Sequence, residues 1–281
     1  MLKGLIKPTK GNFFIGFFLF LIVAIVITYL YCHLFGEQEA YNHLIMGGIA
    51  VVSLLLVYAI VFNNYKKEQQ DALIERKYLQ LQYHHDILRL LNPQAPMPVM
   101  GAYWRAAPDF LHVVMTSILR NKPEVVVECG CGVSTLVVGH SLKKNGKGRL
   151  YTFESSERFY KEYLEVIKVH GLEDVVTLMY TPIREYQLNS DKWLWYDNQL
   201  PDNIKIDFLL VDGPPYNTQK LARYPVLPIL RSYLSKTAEI YVDDYQRKDE
   251  KAIVERWLEE NSGMRKYVLP AEKGLAKLTI E

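Results

Sequence analysis

The sequence contains little cysteine, little net charge and no internal repeat. Its 281 residues include three cysteines and carry a formal net charge of +2. Three cysteines cannot form a disulfide framework for a chain of this size, so a reduced, cytosolic environment is expected for Cys129 and Cys131. A net charge this small, without a basic stripe between aromatic residues, argues against nucleic acid as a partner.

Charge is also missing from two long apolar segments near the amino terminus. No charged residue occurs in residues 13–31 or 44–62, and each segment has the roughly 20 residues that a bilayer-spanning helix requires. A secretory signal peptide is the other interpretation of the first segment, because Lys3, Lys7 and Lys10 precede it. The apolar run is longer than the roughly 7 to 15 residues of such peptides, so two membrane spans are predicted.

The charges that flank the two segments predict their orientation. Lysines precede the first segment, Lys66 and Lys67 follow the second, and the connecting residues 32–43 contain Glu37 and Glu39 but neither lysine nor arginine. Cytoplasmic loops of membrane proteins carry the excess of lysine and arginine. We therefore expect a two-span protein of the cell membrane whose amino terminus and carboxy-terminal region are both cytoplasmic.

Residues 63–97 are predicted to form a helical stalk and a linker. Apolar residues recur at near-heptad spacing, at Ile74, Tyr78, Leu81 and Leu88. This run is short for a coiled coil, and His85 interrupts it, so a stalk helix is favoured while a homodimer stays open. Pro93, Pro96 and Pro98 then end the helical pattern.

From residue 98 to the end, predicted helices alternate with short apolar strands, which indicates an α/β fold with a parallel sheet covered on both faces. The predicted strands are residues 125–127, 150–153, 175–180, 207–211, 240–242, 266–269 and 275–280, and the helices after the first strand are residues 157–169 and those starting near Lys220 and Lys251. The last two strands would form an antiparallel hairpin. The chain thus divides into a membrane anchor (1–62), a stalk and linker (63–97) and an α/β domain (98–281).

A glycine-containing turn follows the first predicted strand. Residues 125–135 have the sequence VVVECGCGVST. Gly130 and Gly132 let the backbone approach a ligand, and the first amides of the next helix attract its negative groups. A dinucleotide-binding turn would have a third glycine at Thr135, so an NAD-dependent oxidoreductase is the weaker interpretation.

This turn resembles the first motif of class I S-adenosylmethionine-dependent methyltransferases. Glu128, Gly130 and Gly132 occupy the matching positions, and Ser134, before Thr135, stands where a third glycine often occurs. The resemblance implies a Rossmann-like seven-stranded sheet and S-adenosylmethionine as the cofactor, with all five residues in its binding site.

Glu154 ends the second predicted strand. The same resemblance implies that its carboxylate accepts the ribose hydroxyls of the cofactor, although the equivalent residue of an NAD site has the same role. A helix-capping role is the other interpretation of Glu154.

Two later strands also end in carboxylates. Residues 207–211 lead to Asp212 and residues 240–242 lead to Asp243 and Asp244. Ligands of open α/β sheets bind beyond the carboxyl ends of the strands, so Asp212 is a candidate for cofactor binding and, with Asp243, for catalysis. A helix cap and an ion pair with Arg247 are the other interpretation of the Asp243–Asp244 pair.

Several spaced motifs resemble one bacterial subgroup of the class I methyltransferases, and the resemblance covers the chain from residue 98 onward. These motifs are Trp195-Tyr196, Asp212-Gly-Pro-Pro, Ala222-Arg-Tyr-Pro, Asp243-Asp with Arg247 and Glu250, and Lys273-Gly274. The two apolar segments lie outside the resemblance.

The three carboxylates predict a magnesium site. Asp212, Asp243 and Asp244 match the positions at which metal-dependent O-methyltransferases of the catechol and macrolide-sugar types hold magnesium, and oxygen ligands suit this cation. The Gly-Pro-Pro sequence after Asp212 departs from those groups, so Asp212 acting alone as a base is the alternative.

Two further sets of residues have two interpretations each. Trp193, Trp195 and Tyr196 either line an acceptor site or belong to the core, and Arg223 either binds an anionic acceptor or forms an exposed ion pair. The predicted function is O-methylation of a small-molecule, glycan or lipid-linked acceptor of the cell envelope at the cytoplasmic membrane face. An NAD-dependent oxidoreductase and a non-catalytic membrane scaffold with a degenerate nucleotide-binding fold are the alternatives.

Overall fold

A computed structural model describes residues 22–23, 25–27, 29–30, 33–34, 37–101 and 105–280. The chain forms two compact units, Met1–Lys77 and Tyr78–Glu281. Most of the first predicted span lies outside the described residues, although those described between 22 and 34 are helical and exposed.

Helix α1, Glu37–Leu91, contains the second apolar segment. The stretch Tyr41–Leu91 includes a window with a mean hydropathy of 2.7 in which no described residue is buried, so this helix is long and apolar enough to cross a membrane. The helix continues through residues 63–91 of the segment predicted to be a stalk and linker. The prediction of a connecting loop up to His43 is wrong, since α1 has begun by Glu37.

The second unit is built from alternating strands and helices. In chain order they are α2 (Pro108–Asn121), β1 (Val125–Cys129), α3 (Val133–Asn145), β2 (Arg149–Glu154), α4 (Glu157–Val169), β3 (Val176–Tyr180), β4 (Ile183–Leu188), β5 (Asp191–Tyr196), β6 (Ile206–Val211), α5 (Val226–Leu230), a 3₁₀ turn (Arg231–Tyr233), β7 (Leu234–Asp243), α6 (Lys248–Glu260), β8 (Met264–Leu269) and β9 (Leu275–Ile280).

Seven of these strands form one mixed sheet in the order β3-β2-β1-β6-β7-β9-β8. The five strands from β3 to β7 are parallel, and β9 pairs antiparallel with both β7 and β8. The predicted Rossmann-like sheet with a terminal antiparallel hairpin is therefore confirmed. Chain order reverses between β1 and β6, and at such a point the loops after adjacent strands diverge and leave a crevice for ligands.

Both faces of the sheet are covered by apolar clusters. Successive side chains of a strand point to opposite faces, so Val126 belongs to one buried cluster and Val127 to the other. The first cluster also includes Ile87, from the end of α1, packed with residues of α2 and α3. This two-sided burial explains the continuous apolar sequence of β1.

A separate hairpin, β4–β5, was not predicted from the sequence. Its strands pair antiparallel from Ile183↔Tyr196 to Leu188↔Asp191, with Asn189 at φ 54° in the turn. The predicted helix near Lys220 is also wrong in its start, because turns extend to Pro225 and α5 begins at Val226. Proline there has a φ suited to a helix start.

Candidate active site

The glycine turn after β1 is shaped by two different backbone conformations. Gly130 has φ +93°, which residues with a side chain rarely adopt, and its N–H donates to the Phe153 carbonyl at 3.0 Å. Gly132 has an extended φ of −178°. A Cβ at Gly132 would meet only the Ser134 hydroxyl, at 3.8 Å, so among the described residues nothing fills the space in front of it.

Glu128 supports this turn from below. Its Oε2 accepts hydrogen bonds from the hydroxyls of Thr135, at 2.6 Å, and Thr152, at 2.9 Å. Thr135 Oγ in turn accepts from the Gly132 N–H at 3.0 Å. Thr135 thus connects the carboxylate to the turn, while Ser134 lies buried in the first turn of α3.

The second oxygen of Glu128 is buried and has no hydrogen-bond partner in the described part of the chain. Burial raises the pKa of Glu128 to about 7, and the surrounding hydroxyls oppose this shift only in part. A buried carboxylate oxygen without a partner is costly, and a cationic ligand group would relieve that cost. This observation fits a cofactor that carries positive charge, as S-adenosylmethionine does.

Glu154 lies at the end of β2, beside the same turn. Its two carboxylate oxygens accept hydrogen bonds from the Cys131 thiol, at 3.2 Å, and from the Ser156 N–H, at 2.6 Å. Ser156, rather than Glu154, is the N-cap of α4, because its hydroxyl accepts from Phe159.

Asp212 follows β6 and adjoins the glycine turn. A Cβ at Gly130 would lie 3.6 Å from the Asp212 carbonyl oxygen. Gly213 fits closely here, since a Cβ at that position would be 2.2 Å from the Tyr196 hydroxyl and 3.0 Å from the Cys129 carbonyl. Glycine at position 213 is therefore required by the close approach of β1 and β5.

The structure brings the three predicted carboxylates together. One ligand oxygen each from Asp212, Asp243 and Asp244 lies within 4.8 Å of the others, and we call these residues the carboxylate cluster. Asp243 is buried, with Oδ1 accepting the Asp244 N–H at 2.8 Å. The Asp212 side chain is 19% exposed and the Asp244 side chain is 7% exposed, so Asp212 is the most accessible of the three.

Arg223 reaches into the carboxylate cluster from the segment before α5. Its Nη2 donates to Asp212 Oδ1 and to Asp244 Oδ2, each at 3.0 Å. The interpretation of Arg223 as an exposed ion pair is wrong, because its side chain is 4% exposed. Arg247 also pairs with Asp244, at 2.8 Å, which agrees with the ion pair in the other interpretation of Asp243 and Asp244.

Burial governs the protonation of this cluster. It raises the pKa of Asp212 to about 6, against the opposing effect of the Arg223 charge. The pKa of Asp243 is raised well above its ordinary value, first by burial and then by repulsion from Asp212 and Asp244. Asp212 is therefore a carboxylate that titrates close to neutral pH, as a general base requires.

The cluster supplies the oxygen ligands that magnesium prefers, but two of its three members are already paired with Arg223. A cation bound between them would compete with a buried guanidinium for the same oxygens. The residues therefore do not fit a resident magnesium ion in this arrangement, and the magnesium site stays a prediction.

The aromatic residues before β6 belong to the core. Trp193, Trp195 and Tyr196 are at most 9% exposed, and Tyr196 stacks on Phe153 with ring centres 5.6 Å apart. Of the two interpretations, the structure favours the core for all three.

A different aromatic, Tyr216, is 72% exposed just after Asp212, and the Arg247 guanidinium lies 5.7 Å from its ring centre. Sequence reasoning did not identify Tyr216. Its position in a Pro-Pro-Tyr turn directly after a strand-end carboxylate was the available signal.

Known proteins share this fold. Residues 127–245 match the family model described as a methyltransferase domain. A Staphylococcus aureus protein, proposed to be a caffeoyl-CoA O-methyltransferase, has 14% sequence identity and a TM-score of 0.50, with 74% of this chain and 100% of that chain covered. This likeness supports the fold.

Two further solved structures are similar at lower TM-scores. An SAH-bound Podospora anserina methyltransferase is 16% identical at a TM-score of 0.49, covering 71% of this chain and 88% of that chain. A Bacillus cereus O-methyltransferase in complex with SAH is 13% identical at a TM-score of 0.48, covering 71% and 91%. The family match over residues 127–245, the sheet order and the glycine turn at the edge of the sheet agree with a methyltransferase domain in this part of the chain.

Proposed function

We propose that the protein transfers a methyl group to an oxygen of an envelope-related acceptor, a glycan, a lipid-linked molecule or a smaller metabolite, at the cytoplasmic face of the membrane. The observation that carries the proposal is the contact between the glycine turn and Asp212. A side-chain carbon at Gly130 would lie 3.6 Å from the Asp212 carbonyl oxygen, so a ligand held by the turn would lie next to Asp212, whose pKa burial raises to about 6.

The residues of the β1–β2 edge bind the cofactor in this proposal. Gly130 and Gly132 leave room for it, the Ser134 and Thr135 end of α3 contributes backbone amides, and Glu154 accepts ribose hydroxyls. For Glu154 this requires that the Cys131 thiol and the Ser156 amide share or release its oxygens. The partnerless oxygen of Glu128 supports the proposal because the cofactor carries an ammonium and a sulfonium group.

Asp212 is the proposed general base. S-adenosylmethionine, when bound, supplies the methyl group on its sulfonium sulfur. Asp212 would take the proton of the acceptor hydroxyl as that oxygen accepts the methyl group, and would then release the proton to solvent. We assign proton removal to Asp212 rather than to Asp243, because the buried Asp243 is engaged with the backbone of Asp244. Precise alignment of acceptor and methyl group provides much of the remaining rate.

Features around the site support an acceptor from the cell envelope. Tyr216 offers an exposed ring on which a sugar can stack. The membrane-compatible helix α1 would hold this site near lipid-linked molecules. In this proposal residues 98–281 form the catalytic domain, residues 63–97 the stalk and linker, and residues 1–62 a two-span membrane anchor that lies outside the resemblance to the bacterial subgroup.

The membrane topology can be tested with reporters. Fusions at the amino terminus and after Lys67 should both report a cytoplasmic location, since lysines flank both predicted spans on that side. An external signal from the second fusion would contradict cytoplasmic methylation. The apolar residues Ile74, Tyr78 and Leu81 are exposed on α1, so a homodimer through this helix stays part of the proposal.

The reaction can be tested with full-length protein in native membranes. Labelled S-adenosylmethionine should transfer its methyl group into a lipid-extractable or polysaccharide fraction, and the product should carry an alkali-stable methyl ether. Label found only in soluble metabolites would overturn the envelope acceptor, and a base-labile methyl ester or an N-methyl product would overturn transfer to a hydroxyl. A strain lacking the gene should lack the same methylated product.

A further inference from the structure

Arg223 has an unusual place for a charged residue. It is buried, and besides the side chains of Asp212 and Asp244 it contacts two backbone carbonyls and a third carboxylate. Its Nη1 donates to the Asp243 carbonyl at 3.0 Å, its Nη2 donates to the Asp212 carbonyl at 3.1 Å, and Glu250 Oε1 lies 3.7 Å from Nη1. One guanidinium thus connects the ends of β6 and β7 to the first turn of α6.

This contact pattern is that of a bound cation. The Nη2 nitrogen lies 3.0 Å from one oxygen of Asp212 and 3.0 Å from one oxygen of Asp244, and these are two of the residues that would hold a divalent ion. A guanidinium presents several donors in a rigid, planar arrangement and keeps its charge at all relevant pH values. It can therefore neutralise and orient carboxylates that would otherwise repel one another.

We propose that Arg223 takes the place of a divalent cation in this enzyme, and that it positions the Asp212 carboxylate toward the acceptor. The ion pair fixes one oxygen of Asp212 and leaves the other for the acceptor hydroxyl. Methyl transfer then requires no added metal. Arg223 is a positioning residue in this scheme, because it acts through Asp212. The role of Asp212 rests on the proposed function, whereas the competition between Arg223 and a metal does not.

Manganese binding separates these two questions. Full-length protein in detergent, saturated with S-adenosylhomocysteine, is titrated with Mn²⁺ and the free ion is followed by electron paramagnetic resonance. The wild type should bind no Mn²⁺ stoichiometrically. Arg223→Ala leaves the carboxylate cluster without its buried counter-charge and should gain one Mn²⁺ site. The affinity of this variant for Mn²⁺ should exceed that of the wild type by at least about tenfold, equivalent to 1.4 kcal/mol. That site should disappear again in the double variant Arg223→Ala/Asp244→Asn.

Two further variants complete the test. Arg256→Ala removes an arginine that pairs with Glu260, outside the carboxylate cluster, and should gain no Mn²⁺ site. Arg223→Lys retains the positive charge but lacks the planar set of donors of the guanidinium. This variant should still exclude Mn²⁺, whereas its methyl-transfer rate should fall.

The wild-type titration decides the proposal even if Arg223→Ala does not fold. One tight Mn²⁺ per wild-type chain, lost in Asp244→Asn, would overturn the proposal whatever the acceptor is. A folded Arg223→Ala that gains no site would overturn it as well. A wild-type rate that vanishes after chelation and returns with magnesium would contradict metal-independent transfer.

Discussion

The two halves of the site differ in how open they are and in how their charges are paired. At the β1–β2 edge the glycine turn is open, and its main charged residue, Glu128, has a carboxylate oxygen without a partner. At the β6–β7 edge the carboxylate cluster is crowded, and its charges are paired with Arg223 and Arg247. The first half depends on space and on a charge left for a ligand, and the second depends on charge balance within the protein. Substitutions at the β1–β2 edge should therefore change cofactor affinity, and substitutions at the β6–β7 edge should change the methyl-transfer rate.

The largest effect is expected at Asp212. Asp212→Asn removes the base and should lower the methyl-transfer rate about 10²- to 10⁴-fold, while affinity for S-adenosylhomocysteine changes little. In the wild type the rate should fall about tenfold per pH unit below pH 6, because only the deprotonated carboxylate accepts a proton and its pKa is about 6. Initial rates with labelled cofactor between pH 5 and 8 measure both effects.

Asp202→Asn is the matched control, since Asp202 is an exposed acid before β6. It should retain the wild-type rate and pH profile. Equal methyl-transfer rates for Asp212→Asn and the wild type would show that Asp212 is not the general base. They would also contradict the assignment of the reaction rate to the β6–β7 half of the site.

Glu128 tests the other half through stability. Its folded-state pKa of about 7 lies above the ordinary value of 4.5, so the folded state binds the proton more tightly than the unfolded state. This contribution is fully present below pH 4.5 and is lost as the pH rises through 7. Glutamine does not titrate, so the free energy of unfolding of Glu128→Gln should not show this decrease. Between pH 4.5 and pH 8 the variant should therefore become more stable relative to the wild type by on the order of 3 kcal/mol. It should also weaken cofactor binding.

Thermal unfolding of the detergent-solubilised full chain, without ligand, at pH 5 and pH 8 measures this difference. Glu173→Gln changes an exposed acid and should show no such pH-dependent gain. The same stability difference between Glu128→Gln and the wild type at both pH values would be evidence against a strained, partnerless carboxylate.

Gly132 tests whether the turn is kept open for a ligand. Gly132→Val should fold normally, because φ is extended and the added atoms meet little of the protein. Overpacking against a bound ligand costs roughly 1–3 kcal/mol, so affinity for S-adenosylhomocysteine should fall about tenfold to a hundredfold. Equilibrium dialysis with labelled ligand measures the affinity, and the unfolding temperature monitors the fold.

Gly146 is a matched control at the other end of the same helix α3. It has φ +69° and open space around it, so Gly146→Ala should cost stability, about 1–2 kcal/mol for a left-handed residue with a side chain, and no affinity. A Gly132→Val protein that binds as tightly as the wild type would place the cofactor elsewhere.

Much of the fold could be predicted from the sequence because local patterns determine it. The apolar run of β1 and the amphipathic helix Glu157–Val169 are local features, and the ends of the strands locate Asp212 and Glu154. The hairpin β4–β5 also left a local signal, the two-residue turn at Asn189 and Ser190 between aromatic strands, but its residues alternate weakly and the signal was missed.

The role of Arg223 could not be predicted in the same way. Its partners Asp212, Asp244 and Glu250 are distant in sequence, and only the packing of the segment before α5 against the ends of β6 and β7 brings them together. An arginine after a turn has the sequence appearance of an exposed residue, so its burial depends on tertiary contacts. The sequence therefore predicts three carboxylates at one edge of the sheet, but it does not show that the Arg223 guanidinium lies among them.

Isothermal titration calorimetry of the full-length chain in detergent, with S-adenosylhomocysteine and with NAD⁺ in parallel, tests the central claim most directly. The account predicts one S-adenosylhomocysteine bound per chain, weakened by Gly132→Val and retained by Asp212→Asn, and no binding of NAD⁺. Binding of NAD⁺ at the turn, or a folded chain that binds neither ligand, would contradict it.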